Sequence, residues 1–113
     1  MDALNTYREA IRNVLEPYTR IEYANVRIRN ELICDEKNDR YLIMSEGWAD
    51  NPRRRIHGCL IHVDIIDGKV WIQRDGTEDG VAGELEEAGI PKHDIVLGFH
   101  DPRVRKYTGY AAA

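Results

Sequence analysis

Histidine, cysteine and carboxylate side chains carry most acid–base, nucleophilic and metal chemistry. This chain holds four histidines, His57, His62, His93 and His100, and two cysteines, Cys34 and Cys59. His57 and His62 lie five positions apart in an apolar, strand-like stretch, so alternation points them to opposite faces and away from a shared metal. His57 and Cys59 share a face, but two ligands fall short of the three or four protein ligands a zinc site uses. The same pair is the only local nucleophile–base candidate. Its apolar neighbours Leu60 and Ile61 mark an inert thiol instead. Both cysteines sit in apolar runs, Leu32-Ile33-Cys34 and Cys59-Leu60-Ile61, and read as buried, reduced thiols. Two cysteines build neither a disulfide framework nor a zinc set.

The carboxylates are dispersed. Asp67 belongs to a turn, and Glu78 and Asp79 to a helix start. Asp64 remains unexplained: a strand carboxylate near Trp71 needs a partner, and His62 or an arginine would supply it. A two-metal nuclease wants several converging acids, which this spacing does not offer. Gly76, Gly80 and Gly83 match neither a P-loop nor a dinucleotide fingerprint. The residues therefore predict no catalytic group, no metal and no cofactor.

What remains is recognition chemistry. Arg53-Arg54-Arg55 is one basic run. Arg103, Arg105 and Lys106, interleaved with Tyr107 and Tyr110, form another. Such residues hold phosphates and stacked bases, or anchor a protein interface. Sixteen basic and 20 acidic residues give a net charge of −4, which opposes nucleic-acid coating and favours the interface.

The elements that position these groups are legible from periodicity. Residues 3–17 predict a helix, with Leu4, Tyr7, Ile11, Val14 and Tyr18 on one stripe, Asp2 as N-cap and Pro17 as stop. Residues 26–35 predict extended chain broken near Asn30. The polar cluster 36–39 then leads into a strand from Tyr41 that ends near Gly47-Trp48. A four-residue loop would set Asp35 opposite Arg40. Ala49 to Pro52 reads as a turn, and the longest apolar strand runs from about Arg55 to Ile66. Asp67-Gly68 is a two-residue hairpin turn, because both positions need positive φ. That turn pairs Ile66 with Lys69, Ile65 with Val70, Asp64 with Trp71, Val63 with Ile72 and His62 with Gln73. Val63, Ile65, Val70 and Ile72 then face the core. His62, Asp64, Trp71 and Gln73 share the other face, as a contact surface or as a polar patch beneath a crossing loop. Residues 78–88 predict a second helix with Thr77 as N-cap, Gly89 in the left-handed C′ position and Ile90 folding back. Residues 94–99 are a short strand, and His100 to Tyr110 an exposed tail.

Two consecutive hairpins, a short C-terminal strand and a helix near each end predict an α+β fold on an antiparallel sheet. Its 113 residues suit one domain spanning 1–113. Recurrent apolar runs argue against disorder. No apolar run approaches the roughly 20 residues of a membrane span. The start, with Asp2, Arg8 and Glu9, lacks a signal-peptide pattern, so a cytoplasmic location is expected. An open sheet edge makes a homodimer through that edge an expectation too.

From Thr77 the chain reads Thr77-Glu78-Asp79-Gly80-Val81-Ala82, Glu84-Leu85, then Ala88-Gly89-Ile90-Pro91-Lys92. Asp94 to His100 follows, then Pro102, Arg105 and Thr108-Gly109-Tyr110-Ala111. Upstream stand Asp39-Arg40-Tyr41, Gly47-Trp48, the Arg55 region, His62-Val63-Asp64-Ile65 and Asp67 to Gln73. Over nearly its whole length the sequence resembles the XisI family, the cyanobacterial fdxN element excision controlling factors. The resemblance implies a non-enzymatic accessory role in programmed DNA excision during heterocyst development. It further implies an XisH-like, endonuclease-type partner and a site-specific recombinase. It carries over no catalytic residue. Together with the residue reading, it makes His62, Asp64, Trp71, Gln73, Arg103, Arg105, Tyr107 and Tyr110 the candidate partner surface. The alternative is direct DNA contact through Arg53, Arg54, Arg55 and Lys106.

Overall fold

A computed structural model describes residues 3–23, 26–50 and 52–113. Helix α1 spans Ala3–Leu15. Its stripe of Tyr7, Ala10, Ile11 and Leu15 is buried against a sheet. Pro17, without an N–H, ends α-type bonding, and the chain tightens into a 3-10 turn, Glu16–Arg20. The expected cap at Asp2 lies outside the described residues.

Strands β1 (Val26–Asp35), β2 (Arg40–Asp50), β3 (Arg53–Ile66) and β4 (Lys69–Asp75) follow as an antiparallel meander. Helix α2 (Ala82–Glu87) then crosses to β5 (Ile95–Leu97), which pairs in parallel with β4. The sheet order is β1-β2-β3-β4-β5, and the class is α+β. Both helices contribute to a core on one face, where Tyr41, Ile43, Ile61, Val63, Val70, Ile72, Leu85 and Ile95 are fully buried.

Several expectations shift. β1 has no break at Asn30. That residue is buried, donating to Tyr18 O and Tyr23 Oη at 2.9 Å and accepting from Ser45 Oγ at 2.5 Å. Its polarity is an internal crosslink, not a turn. β2 does not stop at Trp48, because Ala49 and Asp50 pair with Arg54 and Arg53. The connection is therefore a third hairpin, of which Asn51 lies outside the described residues. Asp35 does face Arg40, yet its carboxylate accepts from Asn38 Nδ2 at 2.8 Å and Asn38 N at 3.2 Å.

The turn at 67–68 forms as expected, with φ of 51° at Asp67 and 79° at Gly68. Pairing holds from Ile66–Lys69 to Val63–Ile72. A bulge then places His62 opposite Arg74, so Gln73 is the extra residue and the His62–Gln73 pair is not made. A second bulge makes Leu60 extra on β3, since Ile43 pairs with Ile61 and Met44 with Cys59. Through it, His57 and His62 register with Glu46 and Leu42 and share a face after all. They remain about 13 Å apart along the strand.

α2 is shorter than 78–88 and Thr77 does not cap it. Asp75 takes the early N–H groups instead: Thr77 N at 3.0 Å and Val81 N at 2.8 Å, while Thr77 Oγ1 accepts from Gly80 N at 3.1 Å. Gly80 has φ of 82°, which helix cannot include. The C-terminus behaves as read. Ile90 N reaches Leu85 O at 3.1 Å and Gly89 N reaches Glu86 O at 3.0 Å, the Schellman pair.

Candidate functional site

On the sheet face turned away from α1, Trp71 of β4 stands opposite Asp64 of β3. His62 lies on the same face, and its Nε2 is 2.7 Å from Asp64 Oδ1. Gln73, pushed out by the bulge, still donates from Nε2 to Asp64 Oδ2 at 3.4 Å. The carboxylate is nearly buried and has a partner on each oxygen, so the unexplained acid is explained as the centre of a polar crosslink.

The four side chains do not form an open surface. The segment after β5 crosses them. A Cβ at Gly98 would stand 2.7 Å from Gln73 Oε1 and 3.1 Å from Trp71 Cε3. A side chain there would displace the Gln73 amide and crowd the Trp71 ring, so the backbone passes close over both. Arg105 lies with its guanidinium 5.1 Å from the Trp71 ring centroid. It is fixed there by Nη2 donating to Gly98 O and Nε donating to His100 O, both at 3.1 Å. The patch beneath a crossing loop is what the structure builds, and of the tail candidates it brings Arg105 onto Trp71, while Arg103 pairs with Asp101, Tyr107 with Lys106 and Tyr110 with Glu86.

The tail is correspondingly not a loose arm. Ala111 N donates to Ile95 O at 2.8 Å, and Ala111 bridges Val96 at the sheet edge. Tyr110 donates to Glu86 Oε2 at 2.6 Å, and that bond pushes its phenol up to about 12. Lys92 sits 5.7 Å from the Tyr110 ring. Arg103 grips Asp101 through Nε at 3.1 Å and Nη2 at 2.8 Å, which lowers the Asp101 carboxyl and raises the guanidinium. What the strap turns outward is Tyr107, 77% exposed, together with Phe99 and Val104. Phe99 and Val104 were not singled out from sequence. β5 ends at Leu97, so Phe99, expected within a strand over 94–99, lies exposed on the turn that follows, and Val104 has as its signal an apolar side chain inside a polar, turn-rich stretch.

The basic run divides. Arg53 and Arg55 share a face and stack on Trp48, at 4.9 and 5.5 Å from the indole. Arg54 pairs with Ala49, one step out of phase with them, and is exposed on the opposite face. Asp50 at 3.0 Å from Arg53 and Glu46 at 3.7 Å from Arg55 partly neutralise the stack. Trp48, a large exposed aromatic, is the member that sequence reading left out. Lys106, within the strap, is not joined to this cluster. About 26 Å of β3 separates Arg55 from the Asp64 position.

The cysteines differ from expectation, since Cys34 is exposed and Cys59 half-buried. Burial still raises both thiols, so neither is poised as a thiolate. Cys59 Sγ contacts Ile61 O at 3.2 Å. Among the described residues no group of three or more His, Cys, Asp or Glu side chains is placed to hold a metal, and no helix is long and apolar enough to cross a membrane.

The family model described as XisI protein matches residues 1–112. A solved XisI-like protein from Anabaena variabilis ATCC 29413 is 38% identical. It covers 97% of this chain and 99% of its own, with a TM-score of 0.83. A second solved structure from that organism, an fdxN element excision controlling factor XisI, is 34% identical. It covers 99% of this chain and 100% of its own, with a TM-score of 0.80. No curated protein matches the chain.

Proposed function

Because the chain belongs to the XisI family, we propose that it is a non-enzymatic accessory protein controlling excision of a DNA element by binding a partner protein. An XisH-like, endonuclease-type protein is the expected partner, within a site-specific recombinase system. A controlling factor governs a reaction performed elsewhere, and the site chemistry agrees with that role. Asp64, His62 and Gln73 satisfy one another, and Arg105 is spent on Trp71 and two carbonyls. The observation that carries the reading is the strap, clamped from inside and offering Phe99, Val104 and Tyr107 outward. Aromatic anchors of this kind, with arginine beside them, are what protein interfaces use.

Co-purification with an XisH-like protein tests it. Tyr107→Ala with Phe99→Ala is expected to weaken the complex about tenfold or more, the loss typical of an aromatic anchor. Trp71→Ala with Arg105→Ala should weaken it too, by releasing the strap. Unchanged affinity in both double variants rejects this surface.

A second reading, direct DNA contact, is favoured by one observation: exposed Trp48 flanked by two guanidiniums. Binding of a duplex at low salt, lost as salt rises and weakened by Arg53→Ala with Arg55→Ala, would support it. Absence of any retardation at low salt ends it.

A further inference from the structure

The two edges of the sheet are finished differently. At one, β5 is three residues long and is closed over by the Ala111 bridge and the strap. At the other, β1 runs ten residues with no proline, glycine or register shift. Among the described residues, the backbone hydrogen bonds of 26–35 go to β2 alone. Soluble proteins do not ordinarily leave so long and regular an edge unpaired.

The side chains on this edge are ordered by sign. On the face away from α1, Arg27 and Arg29 come first, then Glu31, Ile33 and Asp35. A strand that starts basic and ends acidic complements itself when it runs antiparallel to a copy. On the α1 side, Ile28 and Leu32 are both half-buried and would meet.

We propose that a second copy of this chain adds β1 against β1 about a two-fold axis, in the register that places Asn30 opposite Asn30. Arg29 of each copy then faces Glu31 of the other, twice by symmetry, and Ile28 faces Leu32. Only even steps keep the two sheet faces aligned, since a single-residue slip exchanges them. Two steps in one direction pair Arg27 with Glu31 but set Arg29 against Arg29. Two steps in the other pair Arg27 with Asp35 but set Glu31 against Glu31. Of the three, the Asn30-centred register alone opposes no like charges. The Asp64–Trp71 face and its strap lie at the far side of the sheet and stay accessible, so this inference stands independently of the proposed function.

Sedimentation equilibrium of the whole chain tests it. The native protein is expected to dimerise at micromolar concentration. Arg29→Glu or Glu31→Arg alone should weaken the dimer about tenfold, because two attractive pairs become two repulsive ones. Arg29→Glu together with Glu31→Arg should restore it to within about threefold. Arg29 also pairs with Glu31 and Glu46 of its own chain, so circular dichroism must confirm that each variant folds. A second readout needs no variant: amide exchange in 26–35 should slow as the native protein is concentrated, while that in 69–75 stays unchanged. A protein that remains monomeric, a dimer indifferent to both single reversals, a double variant as weak as the singles, or exchange in 26–35 independent of concentration overturns the proposal. Pairing of β1 only with a strand from another protein overturns it equally.

Discussion

Two buried polar side chains in this molecule have opposite circumstances, and the difference predicts opposite mutational signs. Asp64 is held by His62 and Gln73. Replacing it with alanine strands both partners beneath the strap, and Asp64→Ala should lower unfolding free energy by about 1–3 kcal/mol in urea titrations. Tyr41 is fully buried, and its hydroxyl meets no partner among the described residues. Tyr41→Phe deletes an unsatisfied group and keeps the ring, so stability should rise, by about 1 kcal/mol. A Tyr41→Phe variant less stable than the native protein would show that its hydroxyl is satisfied in solution. At this scale the sequence was partly readable. Asp64 stood out because an acid on a strand demands a partner, and His62, two residues along, was a correct candidate. That Gly98 lets the strap press on Trp71 was not readable, since nothing near residue 98 reveals what lies across the fold.

Among the elements, Asp67-Gly68 was legible because its geometry is local. The bulges at Leu60 and Gln73 were not, because each reflects a match between neighbouring strands and leaves no mark on the bulged residue. The late start of α2 was hidden for a related reason. Thr77 does accept an N–H three residues on, from Gly80, but the positive φ of Gly80 breaks the turn there and the helix starts only at Ala82. Asn30 misled in the other direction, since a residue typical of turns serves here as a buried link. One glycine has an element-scale consequence. A Cβ on Gly47 would lie 1.8 Å from the Arg27 carbonyl oxygen, inside the β1 backbone. Gly47→Ala must push β1 away from β2. It should cost about 1–3 kcal/mol, the range for overpacked sites, and speed amide exchange in 26–35. Exchange as slow as in the native protein would contradict this packing.

The whole molecule is elongated. Its radius of gyration is 14.9 Å, where a compact chain of this length has about 13 Å. β2 and β3, at 11 and 14 residues, are its longest strands. Three tyrosine–carboxylate bonds hold the compact end: Tyr7 to Asp94, Tyr18 to Glu84 and Tyr110 to Glu86. The Asp94 bond, then burial, raises Tyr7 from its ordinary 10.0 to about 12, and Tyr110 rises to about 12 in the same way. Burial first and then Glu84 raise Tyr18 further. Each phenol binds its proton more tightly folded than unfolded. The stability that Tyr7 and Tyr110 contribute is therefore complete below pH 10 and lost as pH climbs from about 10 to about 12, while that of Tyr18 persists to higher pH. Urea midpoints measured across that range should fall, and by less in Tyr110→Phe. A flat profile would mean that these bonds do not form. The overall class and the family resemblance were legible in the sequence because they rest on long local patterns. The elongation was not, because it depends on where α1 ends relative to strands it meets only in three dimensions.

The bond between Tyr7 and Asp94 spans most of the chain. The hairpins of the meander each join sequence neighbours and can assemble early, whereas this link closes a very large loop and gains nothing until the rest is in place. It acts as a latch set after the barrier is crossed. In stopped-flow experiments Tyr7→Phe should accelerate unfolding and leave the refolding limb almost untouched.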